Sequence, residues 1–112
     1  ITDRKKDMIL HKGFNVFPRE VEEALFSHPA VTGVSVVGAP DARAGEIVVA
    51  YVTFADGQSA SDEDLRSVCR QYLVDYKMPH RIEVLETLPL TPAGNVDRSA
   101  LRARAQADAE QV

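Results

Sequence analysis

Three consecutive cations, Arg4, Lys5 and Lys6, lie near the start of the chain and precede a glycine, Gly13. Arginine can hold a phosphate with its planar fork of donors, and lysine can do so as a point charge. This segment could therefore bind a phosphate. By pattern alone, however, a solvated charged linker is the commoner explanation.

A second unusual loop covers residues 90–95, with the sequence Leu-Thr-Pro-Ala-Gly-Asn. Loops at the edge of a domain often carry functional residues, because a rigid scaffold can present them to a ligand. By pattern alone, a plain connection into the last helix is the simpler explanation.

Other catalytic or metal-binding patterns are missing from the sequence. His11, His28 and His80 stand far apart, and none has a second ligand at the spacing of a zinc site. No Walker-type phosphate loop is present, and no local signature pairs a serine with a histidine for nucleophilic catalysis. We therefore expect no metal site and no complete active site within this chain.

Composition narrows the class of partner and the cellular location. The formal net charge is −4, whereas a surface for nucleic acid or anionic membrane would need a basic excess. No apolar run approaches the ~20 residues of a membrane span. Cys69 is the single cysteine, so no internal disulfide can form. We expect a reducing, cytoplasmic location, with Cys69 as a small core residue.

The elements that must position the two loops follow from the apolar periodicity. Two short extended segments flank a turn at Gly13, and a helix begins at Pro18 and ends at His28 and Pro29. Strands are predicted over 31–37, 47–54 and 81–86. Ser61 caps a second helix, whose apolar residues are 65, 68, 69, 72 and 73, and Asp97 caps a third.

The order of these elements predicts an α+β fold, with a small three-stranded sheet packed with helices and a short N-terminal two-stranded ribbon. The run over 47–54 is almost continuously apolar, which is typical of a central strand. Residues 38–45 contain a proline, an aspartate and two glycines, which predicts a loop. The 112 residues suffice for one domain, which we expect over 1–104, followed by a frayed tail over 105–112.

Four landmarks in register resemble the C-terminal domain of the adenylate-forming superfamily, which includes acyl- and aryl-CoA ligases. They are residues 3–9 with Gly13, Asn15, Pro18, Glu20 and Glu22; residues 38–41 with Gly45 and Glu46; residues 76–79; and residues 88–94. The stretches DRKKDMIL and FNVFPREVE are most similar to bacterial medium- and long-chain fatty-acid–CoA ligases. The resemblance extends to about Arg104.

This resemblance implies a two-step reaction. ATP, with Mg²⁺, and a carboxylic acid give an acyl-adenylate and pyrophosphate, and the thiol of CoA then displaces AMP to give a thioester. A large N-terminal domain would bind ATP and the acid, and this chain would be a lid that swings between the steps about a hinge at residues 3–7. Because the chain begins at Ile1 without an initiator Met, we expect a fragment that is inactive by itself.

The resemblance also implies roles for single residues. Lys6 would be the hinge pivot, and Arg4 would contact the ribose or the phosphates of the nucleotide. The residues expected to line the pantetheine tunnel are His11, Lys12, Gly13, Phe14 and Asn15. Structural roles are expected for Asp41, Glu46, Lys77 and Pro79.

The sequence departs from the family pattern at Asn95, where the family keeps a lysine after Gly94. That lysine bridges the attacking carboxylate and the α-phosphate, whereas asparagine is shorter and neutral. Losing one such preorganised group typically costs on the order of 10²–10³ in rate. We therefore expect poor adenylation with the thioester step preserved, unless Lys77 or Arg98 supplies a cation or the change is not natural.

Three other interpretations stay open. The chain could be a non-catalytic lid that acts as an interaction module, or the lid of an adenylation domain that loads a carrier protein instead of CoA. It could also be an unrelated small ligand-sensing α+β domain. A long open reading frame upstream of Ile1 would favour the enzyme, and an assay with both acceptors would separate CoA from a carrier protein.

Overall fold

The structure, a computed structural model, describes residues 8 to 110, with side chains as far as residue 108. Its strands are β1 (Ile9–His11), β2 (Phe14–Val16), β3 (Val31–Asp41), β4 (Gly45–Phe54) and β5 (Arg81–Val84). Its helices are α1 (Pro18–Phe26), α2 (Asp62–Arg70) and α3 (Arg98–Glu110), with a 3-10 turn over Asp75–Lys77.

All five strands form one mixed sheet centred on β4. β3 lies antiparallel along one side of β4, whereas β1 and β5 share the other side. β1 meets the start of β4, where His11 pairs with Gly45, and β5 runs parallel to the second half of β4. The predicted α+β class and N-terminal ribbon are confirmed, and the ribbon continues the main sheet instead of standing apart.

Each face of the sheet has its own core, because side chains alternate along a strand. The face under α1 and α2 carries the larger cluster, which includes Val36, Val48, Ala50, Val52, Leu65 and Cys69. The face under α3 carries a smaller cluster of Val37, Ala39, Val49, Tyr51, Leu101 and Ala105. Residues 48–52 of β4 are all 0% exposed, which confirms the predicted central strand.

Helix α2 begins as predicted, with a reciprocal cap. The Ser61 hydroxyl accepts a hydrogen bond from the N–H of Asp64, whose carboxylate accepts one from the N–H of Ser61. The buried residues of α2 are Leu65 and Cys69, and burial raises the pKa of the Cys69 thiol to about 11. The helix ends at Arg70, so Tyr72 leaves the predicted apolar stripe and is 62% exposed.

The largest differences from the predicted element boundaries are in β3 and α3. β3 continues through Pro40 to Asp41, where a loop was expected, because Pro40 pairs opposite Glu46 on an edge strand that tolerates a missing N–H. α3 continues to Glu110, past Arg104, where the frayed tail was expected to begin. Ala105 is fully buried against the sheet, and this packing extends the helix.

Candidate functional site

The β1–β2 hairpin presents a tight two-residue turn. Lys12 and Gly13 both have positive φ, at 52° and 84°, as the favoured type I′ hairpin turn requires. The N–H of Lys12 donates to the carbonyl oxygen of Ala44 at 2.8 Å. This bond fixes the hairpin tip against the turn between β3 and β4.

His11 supports this tip from beneath. It is 5% exposed, and its Nδ1 lies 2.7 Å from the carbonyl oxygen of Glu46, to which it donates. Its ring packs against His80 with centroids 4.4 Å apart. The Nδ1 of His80 accepts a hydrogen bond from the N–H of Val48 at 3.0 Å. Burial, followed by the charges of His11, Lys12 and Arg66, lowers the pKa of His80.

Phe14 extends the hairpin surface with an aromatic pair, in which Phe14 is exposed and Tyr76 is half-buried. Its ring is 52% exposed and stacks on Tyr76, with centroids 4.5 Å apart and planes tilted by 27°. The sequence marked Tyr76 only as part of a landmark, because nothing in a one-dimensional pattern places it beside Phe14. Of the five predicted tunnel residues, Lys12, Gly13, Phe14 and Asn15 are exposed, and His11 is buried.

Asn95 lies in a second tight turn, which precedes α3. The N–H of Thr91 donates to the carbonyl oxygen of Asn95 at 2.7 Å, and the N–H of Gly94 donates to that of Thr91 at 2.9 Å. A β-bridge between Leu90 and Val96 closes the turn at its base. Gly94 has a φ of 90°, and the Asn95 side chain stands exposed at the surface.

The two cations considered as replacements for a lysine at position 95 are bound elsewhere. Lys77 Nζ lies 2.9 Å from both carboxylate oxygens of Glu20, and this hydrogen bond raises the pKa of Lys77. Arg98 donates to Glu22 at 3.0 Å and to the carbonyl oxygen of Val36 at 2.7 Å. Both cations are thus held by carboxylates of α1.

The hairpin tip and the Asn95 turn lie toward opposite ends of the sheet. His11 pairs with Gly45 at the start of β4, whereas Leu90 and Val96 line a groove of ≈ 500 Å³ with Thr53 near its end. Gly45 and Thr53 are eight positions apart in β4, which corresponds to about 26 Å along a strand. The two turns therefore adjoin different ends of β4.

Of the remaining predicted site residues, Asp41 lies in the described part of the chain, whereas Arg4 and Lys6 do not. Asp41 accepts hydrogen bonds from the N–H groups of Arg43 and Ala44, and the Ala44 bond is the larger cause of its lowered pKa. Such contacts fit its expected structural role. Arg4 and Lys6, predicted to bind nucleotide and to form the hinge, lie outside the described residues.

Within residues 8–110, no group of three or more His, Cys, Asp or Glu side chains is placed to hold a metal ion. None of the helices described there has the length and apolar character needed to cross a membrane.

Comparison with known proteins matches this arrangement to one family. The family model described as "AMP-binding enzyme C-terminal domain" matches residues 20–95. The chain is 44% identical over 101 residues to a long-chain-fatty-acid–CoA ligase of Bacillus subtilis, covering 90% of the chain and 18% of that protein. It is 45% identical over 104 residues to the fatty acid–[acyl-carrier-protein] ligase ScoC of Streptomyces coeruleorubidus, covering 93% of the chain and 20% of ScoC.

The solved structures agree with these relatives. A Mycobacterium tuberculosis fatty acyl CoA synthetase superposes with a TM-score of 0.87 at 35% identity, covering 95% of this chain and 21% of that one. The chain therefore spans about a fifth of the length of the proteins it matches. On its fold and sequence, the chain belongs to the AMP-binding enzyme C-terminal domain family, as the C-terminal domain of an acyl-CoA synthetase-type protein.

Proposed function

We propose that this chain is the lid of an ATP-dependent, AMP-forming fatty-acyl-CoA synthetase. The observation that carries the proposal is the family match together with 44% identity to a fatty-acid–CoA ligase. Because the chain spans about a fifth of its relatives, the partner is the protein's own N-terminal domain. That domain would hold ATP, Mg²⁺ and the carboxylic acid, and we place the whole protein in the cytoplasm.

The location of the two turns at different ends of the sheet supports a lid that presents a different turn in each of the two reaction steps. The hairpin pairs with Gly45 at the start of β4, whereas Leu90 and Val96 at the base of the Asn95 turn line a groove with Thr53 near the end of β4. In the proposal, the Asn95 turn faces the nucleotide during adenylation. The hairpin tip faces CoA during thioester formation, after rotation about the hinge at Lys6, with Arg4 on the nucleotide.

The hairpin tip has the properties expected of a surface beside the pantetheine arm of CoA. Gly13 offers backbone without a side chain, and an added Cβ there would meet nothing within 4 Å. Phe14, Lys12 and Asn15 are exposed around it. In the proposal, these four residues line the tunnel, and His11 orients the turn through its bond to Glu46.

The Asn95 turn lacks the cation that the adenylation step needs. A carboxylate attacking a phosphate brings two anions together, and a neutral amide at position 95 cannot offset their charge. Lys77 and Arg98 are bound to Glu20 and Glu22. We therefore propose that the full-length protein forms the acyl-adenylate slowly while the thioester step remains intact.

The test is Asn95→Lys in the full-length gene product, with pyrophosphate release as the readout. We expect release to rise by about 10²–10³-fold. Thioester formation from supplied acyl-adenylate and CoA should stay unchanged. Gln71→Lys is the matched control, since it adds the same charge at an exposed position after α2. Equal pyrophosphate release by wild type, Asn95→Lys and Gln71→Lys would contradict the proposal.

The isolated chain provides a second test. We expect the 112-residue chain to bind ATP weakly and to turn over no substrate, because the acid and nucleotide sites lie in the N-terminal domain of the proposal. Saturable turnover of ATP and a fatty acid by the isolated chain would show that the lid assignment is incomplete.

A carrier protein as acceptor is the second candidate function, and the identity to ScoC favours it. This chain is as similar to a carrier-protein ligase, at 45%, as to a CoA ligase, at 44%. Incubating acyl-adenylate and full-length protein with either free CoA or a phosphopantetheinylated carrier separates the two. Thioester on neither acceptor would favour a non-catalytic lid that acts as an interaction module.

A further inference from the structure

A partly buried ion pair joins α1 to α3 across the outer edge of β3. Arg98, the first residue of α3, lies with Nη1 3.0 Å from Oε2 of Glu22 in α1. The side chains of Arg98 and Glu22 are 29% and 17% exposed. By contrast, the pair between Arg70 and Glu63 is 55% and 72% exposed, so water weakens it far more.

The pair also binds the backbone of the edge strand. β3 has a strand neighbour on one side only, so outward backbone groups of Val36 have no strand partner. The N–H of Val36 donates to Glu22 Oε2 at 2.9 Å, and its carbonyl oxygen accepts from Arg98 Nη2 at 2.7 Å. Together, Glu22 and Arg98 satisfy both groups as a neighbouring strand would. We call these three residues the edge clamp.

The edge clamp lies directly beside the turn that carries Asn95. Only Val96 and Asp97 lie between Asn95 and Arg98, and Asp97 donates its N–H to the carbonyl oxygen of Pro89 at 2.8 Å. The Asp97 carboxylate also accepts from the N–H of Ala100, which caps α3. The start of α3 and the two chain segments that flank the turn are therefore connected to the contact between Arg98 and the backbone of Val36 in β3.

We propose that Arg98 is a positioning residue for adenylation, which acts through Glu22 and Val36 to fix the location of the side chain at position 95. This inference rests on the proposed function, and it gives Arg98 a role different from that of a substitute cation. A misplacement of about 1 Å can cost on the order of 10² in rate. The benefit of a lysine at position 95 should therefore depend on the edge clamp.

The first test uses the full-length Asn95→Lys protein and measures the two half-reactions separately. We expect an added Arg98→Met to lower pyrophosphate release by about 10–10²-fold. Thioester formation from supplied acyl-adenylate should change by less than about twofold. Arg98→Lys should retain more adenylation than Arg98→Met, because lysine keeps the ion pair but lacks the fork that also reaches Val36.

Arg70→Met is the matched control, since it removes an exposed ion pair of the same type and should leave both half-reactions unchanged. Equal losses in both half-reactions for Arg98→Met would indicate general destabilisation and would overturn the positioning role. Unchanged pyrophosphate release would overturn it as well.

A second test needs no catalysis and separates this inference from the proposed function. In hydrogen–deuterium exchange of the 112-residue chain, Arg98→Met should speed exchange of the amides of Thr91, Gly94 and Asp97. Amides in the middle of β4, over 48–52, should keep their protection. If Asn95→Lys leaves pyrophosphate release unchanged, the proposed function fails, but this exchange pattern still tests the clamp. Unchanged exchange at the turn would overturn the clamp whatever the kinetics show.

Discussion

The two turns of this domain differ in what defines their surfaces. The hairpin tip is built from backbone: two positive φ angles, strand pairing on both sides and a buried histidine beneath. The Asn95 turn is a short exposed loop whose proposed chemistry depends on one side chain. A single substitution can therefore remove the chemistry of the Asn95 turn while the shape of the hairpin tip remains, which is the state we propose for this protein.

Matched substitutions of Gly13 and Gly94 should give the largest effects among the tests of how the two turns differ. Gly13 and Gly94 have φ values of 84° and 90°, and an added Cβ would meet nothing within 4 Å at either. Valine at either position should cost about 1–2 kcal/mol of unfolding free energy, because only backbone strain differs. In urea unfolding, Gly13→Asn and Gly94→Asn should cost less, since asparagine tolerates positive φ.

Although Gly13→Val and Gly94→Val should lower the unfolding free energy by similar amounts, they should slow different half-reactions. In the full-length Asn95→Lys protein, Gly13→Val should slow thioester formation by up to about 10²-fold, and Gly94→Val should slow pyrophosphate release by a similar factor. If each variant slows both half-reactions equally, the assignment of one turn to each step is wrong.

The pH dependence of stability should reveal the histidine pair at the hairpin end, in which His11 is buried and His80 is exposed. His80 has a folded pKa below its ordinary value of 6.5, so the unfolded chain binds the proton more readily. Its contribution to the free energy of unfolding is complete above about pH 6.5 and is lost as the pH falls through the folded pKa, so stability should decrease below about pH 6.5. Urea unfolding at stepped pH values measures this slope.

His80→Gln should flatten this slope, because it removes the titrating ring. His28→Gln is the matched control toward the other end of the sheet, where His28 follows α1, and it should retain the slope. An unchanged slope in His80→Gln would mean that other groups control the acid limb of stability.

The exposed apolar side chains beside the two turns, Phe14 and Leu90, should contribute unequally to the free energy of unfolding. Phe14→Ala removes the stack on Tyr76 and should lower the unfolding free energy by about 0.5–1.5 kcal/mol. Leu90→Ala, at a side chain that is 61% exposed beside the other turn, should change it by less than about 0.5 kcal/mol. Equal effects in thermal unfolding would mean that the aromatic pair adds no stability beyond that of an ordinary exposed residue.

The smallest effect is expected for an ion pair remote from both turns. Arg70→Met breaks the exposed contact with Glu63 and should leave the urea midpoint unchanged within error, since water screens such pairs. Lys77→Met breaks the less exposed contact with Glu20 beside the hairpin, so its midpoint should fall measurably. The reverse order would argue against burial as the factor that separates these pairs.

The sequence by itself determined the elements whose signals are local. Ser61 predicted the start of α2, because an N-cap residue acts on the helix that directly follows it. The apolar run of β4 predicted a central strand, since only burial on both faces tolerates it. The four landmarks were sufficient to predict the family, which the match over residues 20–95 confirms.

Tertiary structure decided the features that depend on residues far apart in the chain. The extension of β3 through Pro40 depends on its edge position, and the length of α3 depends on the packing of Ala105. Glu22 and Arg98 lie 76 residues apart, so no local pattern reveals that they meet at Val36. Propensity and capping act over a few residues, whereas pairing, burial and ion pairs are set only when the whole chain is folded.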